Sequence, residues 1–287
     1  MTHSIAPRGV TMPAEEWRAR EEAHRARVAP FAEGFLERRA KGEKHPVWDF
    51  LFTYYSFSPG KLMTWVPGVA RNETWLMGED GMPWVCPPLP ERLRREAAWV
   101  AQLCTNMLRK PARFVCHGLH EWAMVYKQSA EQVRHNGYEL RLAPQPLAEF
   151  VESQTICCTH YDAFRFYTPE ARPLNTLQPT LETRLEMEQS GCLHANMDLY
   201  KWAYKLWPWI GSDLVAETFE VAVAGRELDM RASPYDLATL GFAPICIETE
   251  EGRATYRAAQ RHVAQLAEPV RERLLAAAEA LAAVRGV

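Results

Sequence analysis

Along the first 41 residues the apolar positions are sparse and evenly placed. Trp17, Val28, Phe31 and Phe35 stand among Arg and Glu at spacings that make one stripe, which predicts an amphipathic helix opened by Pro13. The next segment, VWDFLFTYYSF, is apolar on every side and reads as buried, ending at Ser58-Pro59-Gly60. Between 63 and 90 the prolines at 67, 83, 87, 88 and 90 forbid a long helix, so an irregular excursion is expected there. Helical patterning then returns over 90–110 and 112–128, broken at Pro111. Asn136-Gly137 marks a turn that could carry a small hairpin over Tyr138 to Leu142. Further helices are predicted near 145–167, 178–190, 192–207 and 212–228. An Ala-rich tail over 250–285 is expected to kink or split at Pro269.

This pattern predicts an all-α protein, a compact multi-helix bundle with at most a small hairpin. After a disordered lead over 1–10, the rest of the 287-residue chain, 11–287, reads as a single helical domain. Hydrophobic residues make up 47% of the chain, enough for a core without disulfide or metal staples. A net charge of −3 offers no field to draw in phosphate backbones, so charge does not support nucleic acid as a partner. Seven cysteines lack C-x-x-C spacing and lie mostly in apolar surroundings, which reads as reduced thiols in a reducing compartment. With no apolar leader and no long apolar run, the expected location is the cytoplasm and no membrane partner is expected. No Gly-rich phosphate loop or dinucleotide fingerprint is found.

The chemistry lies in the histidines. Four of the nine have an acid four places on, His45/Asp49, His117/Glu121, His135/Glu139 and His194/Asp198, where chance predicts about one. Three of these pairs sit among aromatic residues, in HPVWDFLFTYY, VCHGLHEWAMVY and CLHANMDLYKWAYKLW, where an ionisable group loses its water and needs a partner. A further cluster, THYDAFRFY, places His160, Asp162 and Arg165 together; Asp162 and Arg165 can share a helix face, as an internal ion pair or a substrate anchor. The run ELDMRASPYDL gathers Glu227, Asp229, Arg231, Tyr235 and Asp236 around a proline turn and reads as a loop.

Two kinds of pocket follow. In one, His117, His120, His160 and His194, with carboxylates from facing helices, hold iron, manganese or zinc and act on a small molecule. Neither the paired Glu-x-x-His nor the His-Glu-x-x-His motif is present. In the other no metal is needed. A desolvated Asp198, Glu121 or Asp162 serves an oxocarbenium-like sugar, while Trp122, Tyr161, Tyr235, Arg165 and Lys201 bind the substrate. A third reading is a non-catalytic helical protein that binds a ligand through its buried polar groups.

The stretches KHPVWDFLFTYYSFSPGKL, CHGLHEWAMVYK, HYDAFRFYTPEARPLN, GCLHANMDLYKWAYKL and ELDMRASPYDL together resemble a group of bacterial proteins, common in actinobacteria, labelled 3-methyladenine DNA glycosylase. The resemblance runs from about Lys44 to the C-terminal helix. It implies a hydrolase in DNA repair that cleaves the N-glycosidic bond of a modified purine without a cofactor. No catalytic residue is carried over from it.

Overall fold

A computed structural model describes residues 9–68, 74–76, 87–129, 131–133 and 137–284. Helix accounts for 61% of the chain, as the apolar periodicity predicts. Eleven α-helices occur among the described residues: α1 (Ala14–Lys41), α2 (Phe50–Thr53), α3 (Pro59–Met63), α4 (Glu91–Arg109), α5 (Leu119–Val125), α6 (Pro144–Ser153), α7 (Tyr161–Phe164), α8 (Arg184–Met187), α9 (Leu193–Lys205), α10 (Ser212–Ala232) and α11 (Glu250–Ala282). Two short strands, β1 (Gly9–Thr11) and β2 (Thr74–Leu76), pair in parallel.

Several boundaries differ from expectation for identifiable reasons. Gly9 and Val10, assigned above to a disordered lead, belong to β1; the rest of the lead lies outside the described residues. Ser58-Pro59 opens α3 instead of only closing the segment before it, because the Ser58 hydroxyl accepts a hydrogen bond from the Lys61 amide and Pro59 suits the first helical turn. Of the excursion over 63–90, residues 64–68 and 87–90 carry no regular element, and most of the rest lies outside the described residues. No hairpin over Tyr138 to Leu142 occurs among the described residues, where Leu140 makes an isolated antiparallel bridge to Tyr235. Helix α11 runs through Pro269 as one element.

The contacts divide the chain into two compact units. The first comprises Met1–Gln102, Leu199–Glu220 and Val270–Val287. Its core is aromatic, with Tyr55 edge-on to Tyr200 and Phe52 against Phe219. His24 of α1 is buried and donates from Nε2 to the Leu62 carbonyl at 2.7 Å, tying α1 to α3. His45 is only half-buried. Its Nδ1 accepts from the Val47 and Trp48 amides, while Asp49 pairs with Arg38, so the pair expected at this spacing does not form between side chains.

The second unit comprises Leu103–Asp198 and Val221–Pro269. It holds α5 to α8, most of α11, the first turns of α9 and the last turns of α10, around a core that includes Leu119, Trp122, Val151, Met197 and Tyr256. Where α9 meets α10, Gly225 faces Met197 so closely that a Cβ at 225 would lie 2.5 Å from the methionine Cγ. A larger residue there forces the flexible Met197 side chain to give way. The close approach sets His194, three residues before Met197, opposite Asp229, four residues after Gly225.

Candidate metal centre

Within this second unit one ligand atom each from His120, His194 and Asp229 fall within 4.8 Å of one another. His120 projects from α5, His194 from α9 and Asp229 from α10. The two imidazoles meet edge to face, with ring centroids 4.1 Å apart. His120 Nε2 stands 2.9 Å from Asp229 Oδ1, but the contact lacks hydrogen-bond alignment, and both atoms are fully buried with no hydrogen-bond partner. Atoms so placed are close without being directed at each other, as ligands around a shared cation are.

Arg226 fixes the carboxylate from behind. Its Nη1 donates to Asp229 Oδ2 at 2.9 Å and to Glu121 Oε1 at 3.2 Å, so one Asp229 oxygen is held while the other faces the histidines. Burial opposes a charge on His120, yet Asp229 and then Glu121 outweigh it and hold its pKa above the usual value. His194 goes the other way. Burial, reinforced by His120, holds its pKa well below the usual value and keeps the ring neutral, the form that binds metal.

Beside this centre lies a second buried network. His160 caps α7, its Nδ1 accepting from the Ala163 amide, which leaves Nε2 as the protonated nitrogen between Asp198 at 3.3 Å and Glu188 at 3.5 Å. Burial opposes a charge on it, while Glu188 and Asp198 carry its pKa upward. Asp162 is gripped by Arg184 Nη2 at 2.7 Å and by Arg165 at 3.2 Å, the i,i+3 pair read from the sequence. The His160 and His194 rings lie 5.5 Å apart, so the two networks adjoin.

The two imidazoles of the centre also line a cavity of about 90 Å³. Its other walls include Arg113, four cysteines (Cys116, Cys157, Cys158 and Cys192), Tyr256 and Gln260. Burial pushes the Cys158 thiol up to about 11 and raises Cys116, Cys157 and Cys192 as well, so all four are neutral, weakly reactive thiols at neutral pH. None of the residues lining the cavity is a carboxylate.

Of the residues expected at the site, His120, Glu121, His160, His194 and Asp198 come together. His117 does not join them: its backbone turns left-handed at φ 49, outside α5, and its Nε2 meets Arg257 at 3.1 Å. Trp122 is fully buried, its indole N–H bonded to the Ala232 carbonyl, and so acts as core. Neither Tyr161, Tyr235 nor Arg165 lines the cavity, and Lys201 belongs to the first unit, with its ammonium 4.9 Å from the Trp202 ring centroid.

The proline turn after Asp229 predicts a loop there, but α10 continues to Ala232 and stops only before Ser233-Pro234. The unbroken run from Ser212 to Ala232, with Ala222, Arg226 and Asp229 recurring at helical spacing, carried the signal for a buried acid on that face. Glu188 and Arg184 had no comparable mark. The chain matches no known protein family, and no curated protein or solved structure is similar to it.

Proposed function

We propose that this chain is a metal-dependent enzyme acting on a small molecule, with one iron, manganese or zinc ion held by His120, His194 and Asp229. The observation that carries the proposal is the convergence of three ligand atoms, two of them buried and otherwise unbonded, beside a cavity that both histidines line. Two imidazoles and one carboxylate suit these three metals. A set of three protein ligands leaves positions for water and substrate, as catalytic sites do and closed structural sites do not. Bound there, the ion would act as a Lewis acid toward a group in the cavity or toward water.

The protein's own contribution is positional. Arg226 holds Asp229 Oδ2 and so orients Oδ1 toward the histidines. The neutral thiols and Tyr256 surround the cavity with weakly polar groups, which strengthens electrostatic interactions inside it. A reading as an N-glycosidic hydrolase needs a carboxylate facing the sugar. Glu121 is turned to Arg226, Asp162 to Arg184 and Asp198 to His160, so the metal reading has the better support.

Elemental analysis of the purified protein is the direct test, with about one equivalent of iron, manganese or zinc expected. Asp229→Asn and His194→Gln should lose most of it while His117→Gln keeps it. A folded wild-type protein that retains none of the three metals, even after incubation with each, would remove the proposal.

A further inference from the structure

Two polar groups on the cavity wall take no part in holding the ion, and both lack a partner for their function. Arg113 is the one permanently charged side chain lining the cavity, and no carboxylate pairs with it among the described residues. Its backbone is anchored: Gln189 accepts from the Arg113 amide at 2.9 Å and donates to its carbonyl at 3.2 Å. Gly191 packs so tightly there that a Cβ would lie 2.4 Å from the Arg113 carbonyl oxygen. Arg113 is exposed, and its charge acts on Cys157 of the cavity lining.

Gln260 is buried, with 1% of its surface exposed, and lines the same cavity. Its Nε2 donates to the Gly191 carbonyl at 2.7 Å, which fixes the amide orientation because a carbonyl only accepts. Oε1 is left buried without a hydrogen-bond partner. An orphaned acceptor of this kind is stabilised when a ligand brings an N–H or O–H to it.

We infer that the cavity takes a small carboxylate bearing a hydroxyl or amine on a neighbouring carbon. Arg113 and the ion attract the carboxylate, and Gln260 Oε1 accepts from the hydroxyl or amine. The absence of acidic groups from the lining removes repulsion of an anion, and a space of about 90 Å³ limits the ligand to a few non-hydrogen atoms. The inference rests on the metal reading for one of its two positive charges; Arg113 and Gln260 carry the rest independently.

Calorimetric titration of the zinc-loaded protein with glycolate, acetate and glycolamide separates the contributions. Acetate lacks the donor, and glycolamide lacks the charge. Glycolate should bind roughly tenfold or more tightly than either. Arg113→Met should reduce the advantage over glycolamide in the zinc-loaded protein and abolish it in the metal-free protein. Gln260→Leu should abolish the advantage over acetate, and Gln260→Glu, which keeps the volume and adds negative charge, should weaken glycolate further. Each variant's zinc content and circular dichroism should match wild type, which separates loss of the contact from loss of the fold. Equal binding of the three probes, no glycolate binding, or a glycolate preference untouched by the folded variants overturns the inference. Should the protein take up no zinc, the metal reading fails by itself. The same titration on the metal-free protein then decides this inference through the dependence on Arg113 and Gln260.

Discussion

Buried histidines in this chain are satisfied in three distinct ways, and each leaves a different signature. His160 accepts from a backbone amide and turns its other nitrogen between two carboxylates; His120 stands beside Asp229 without hydrogen-bond alignment; His24 is a neutral ring bonded to a carbonyl. The last is the cleanest to test, since it lies in the first unit and away from the metal centre. Burial lowers the His24 pKa below its ordinary value of 6.5, and its Nδ1 is buried without a partner, so a second proton has nowhere to be received. A base whose folded pKa is depressed contributes its full stability above the unfolded pKa and loses it as pH falls from there toward the folded value. Denaturant melts of wild type should therefore lose stability below about pH 6.5, with His24 contributing at most about 1.4 kcal/mol per pH unit. His24→Gln, which can keep the donor to Leu62 but does not titrate, should show a shallower fall. Parallel profiles for the two proteins would rule out this role.

At the scale of elements, long periodic helices were legible and short ones were not. Helices α1, α4 and α11 carry stripes of buried positions over many turns, so their boundaries fall within a few residues of the apolar pattern. The 112–128 segment instead begins irregularly, because Arg113 is bound by Gln189 and His117 adopts a left-handed turn, and only Leu119–Val125 is helical. Spacing along the chain located the ionisable residues but mispaired them. The i,i+4 rule joined His117 to Glu121 and His194 to Asp198, whereas the observed partners come from elsewhere: Arg226 for Glu121, His160 for Asp198. Pairing across helices depends on how closely they pack, and that is set at positions such as Gly225. Gly225→Ala should be tolerated within about 1 kcal/mol, since helix propensity favours Ala and Met197 is flexible. Gly225→Val should cost about 1–3 kcal/mol by overpacking and should sharply lower metal occupancy. Thermal melts with parallel elemental analysis check both effects, and full occupancy in a folded Gly225→Val protein would show that this contact does not position His194 against Asp229.

Across the molecule as a whole the net charge of −3 is modest, but its buried part is unevenly placed. Among the described residues, the second unit buries the carboxylates of Glu121, Asp162, Glu188, Asp198 and Asp229 with two buried guanidiniums, Arg184 and Arg226. His160, whose Nδ1 accepts from the Ala163 amide, is a neutral ring and offsets none of these charges. Three negative charges remain, two of which one divalent ion neutralises. In its absence a proton on His120 compensates only one of them, and Arg165 acts on Asp162 from solvent. Unbalanced buried charge is expensive, so metal binding should be coupled to folding. At free metal a hundredfold above the dissociation constant, the coupling adds about 2.7 kcal/mol to stability. Melting followed by calorimetry should shift downward on chelation and return on restoring the metal. Magnesium should not substitute, because it favours oxygen ligands over imidazole. Asp229→Asn should be insensitive to chelator, while His24→Gln should respond as wild type does. A wild-type melt indifferent to both chelator and added iron, manganese or zinc would mean that protons alone balance the buried carboxylates.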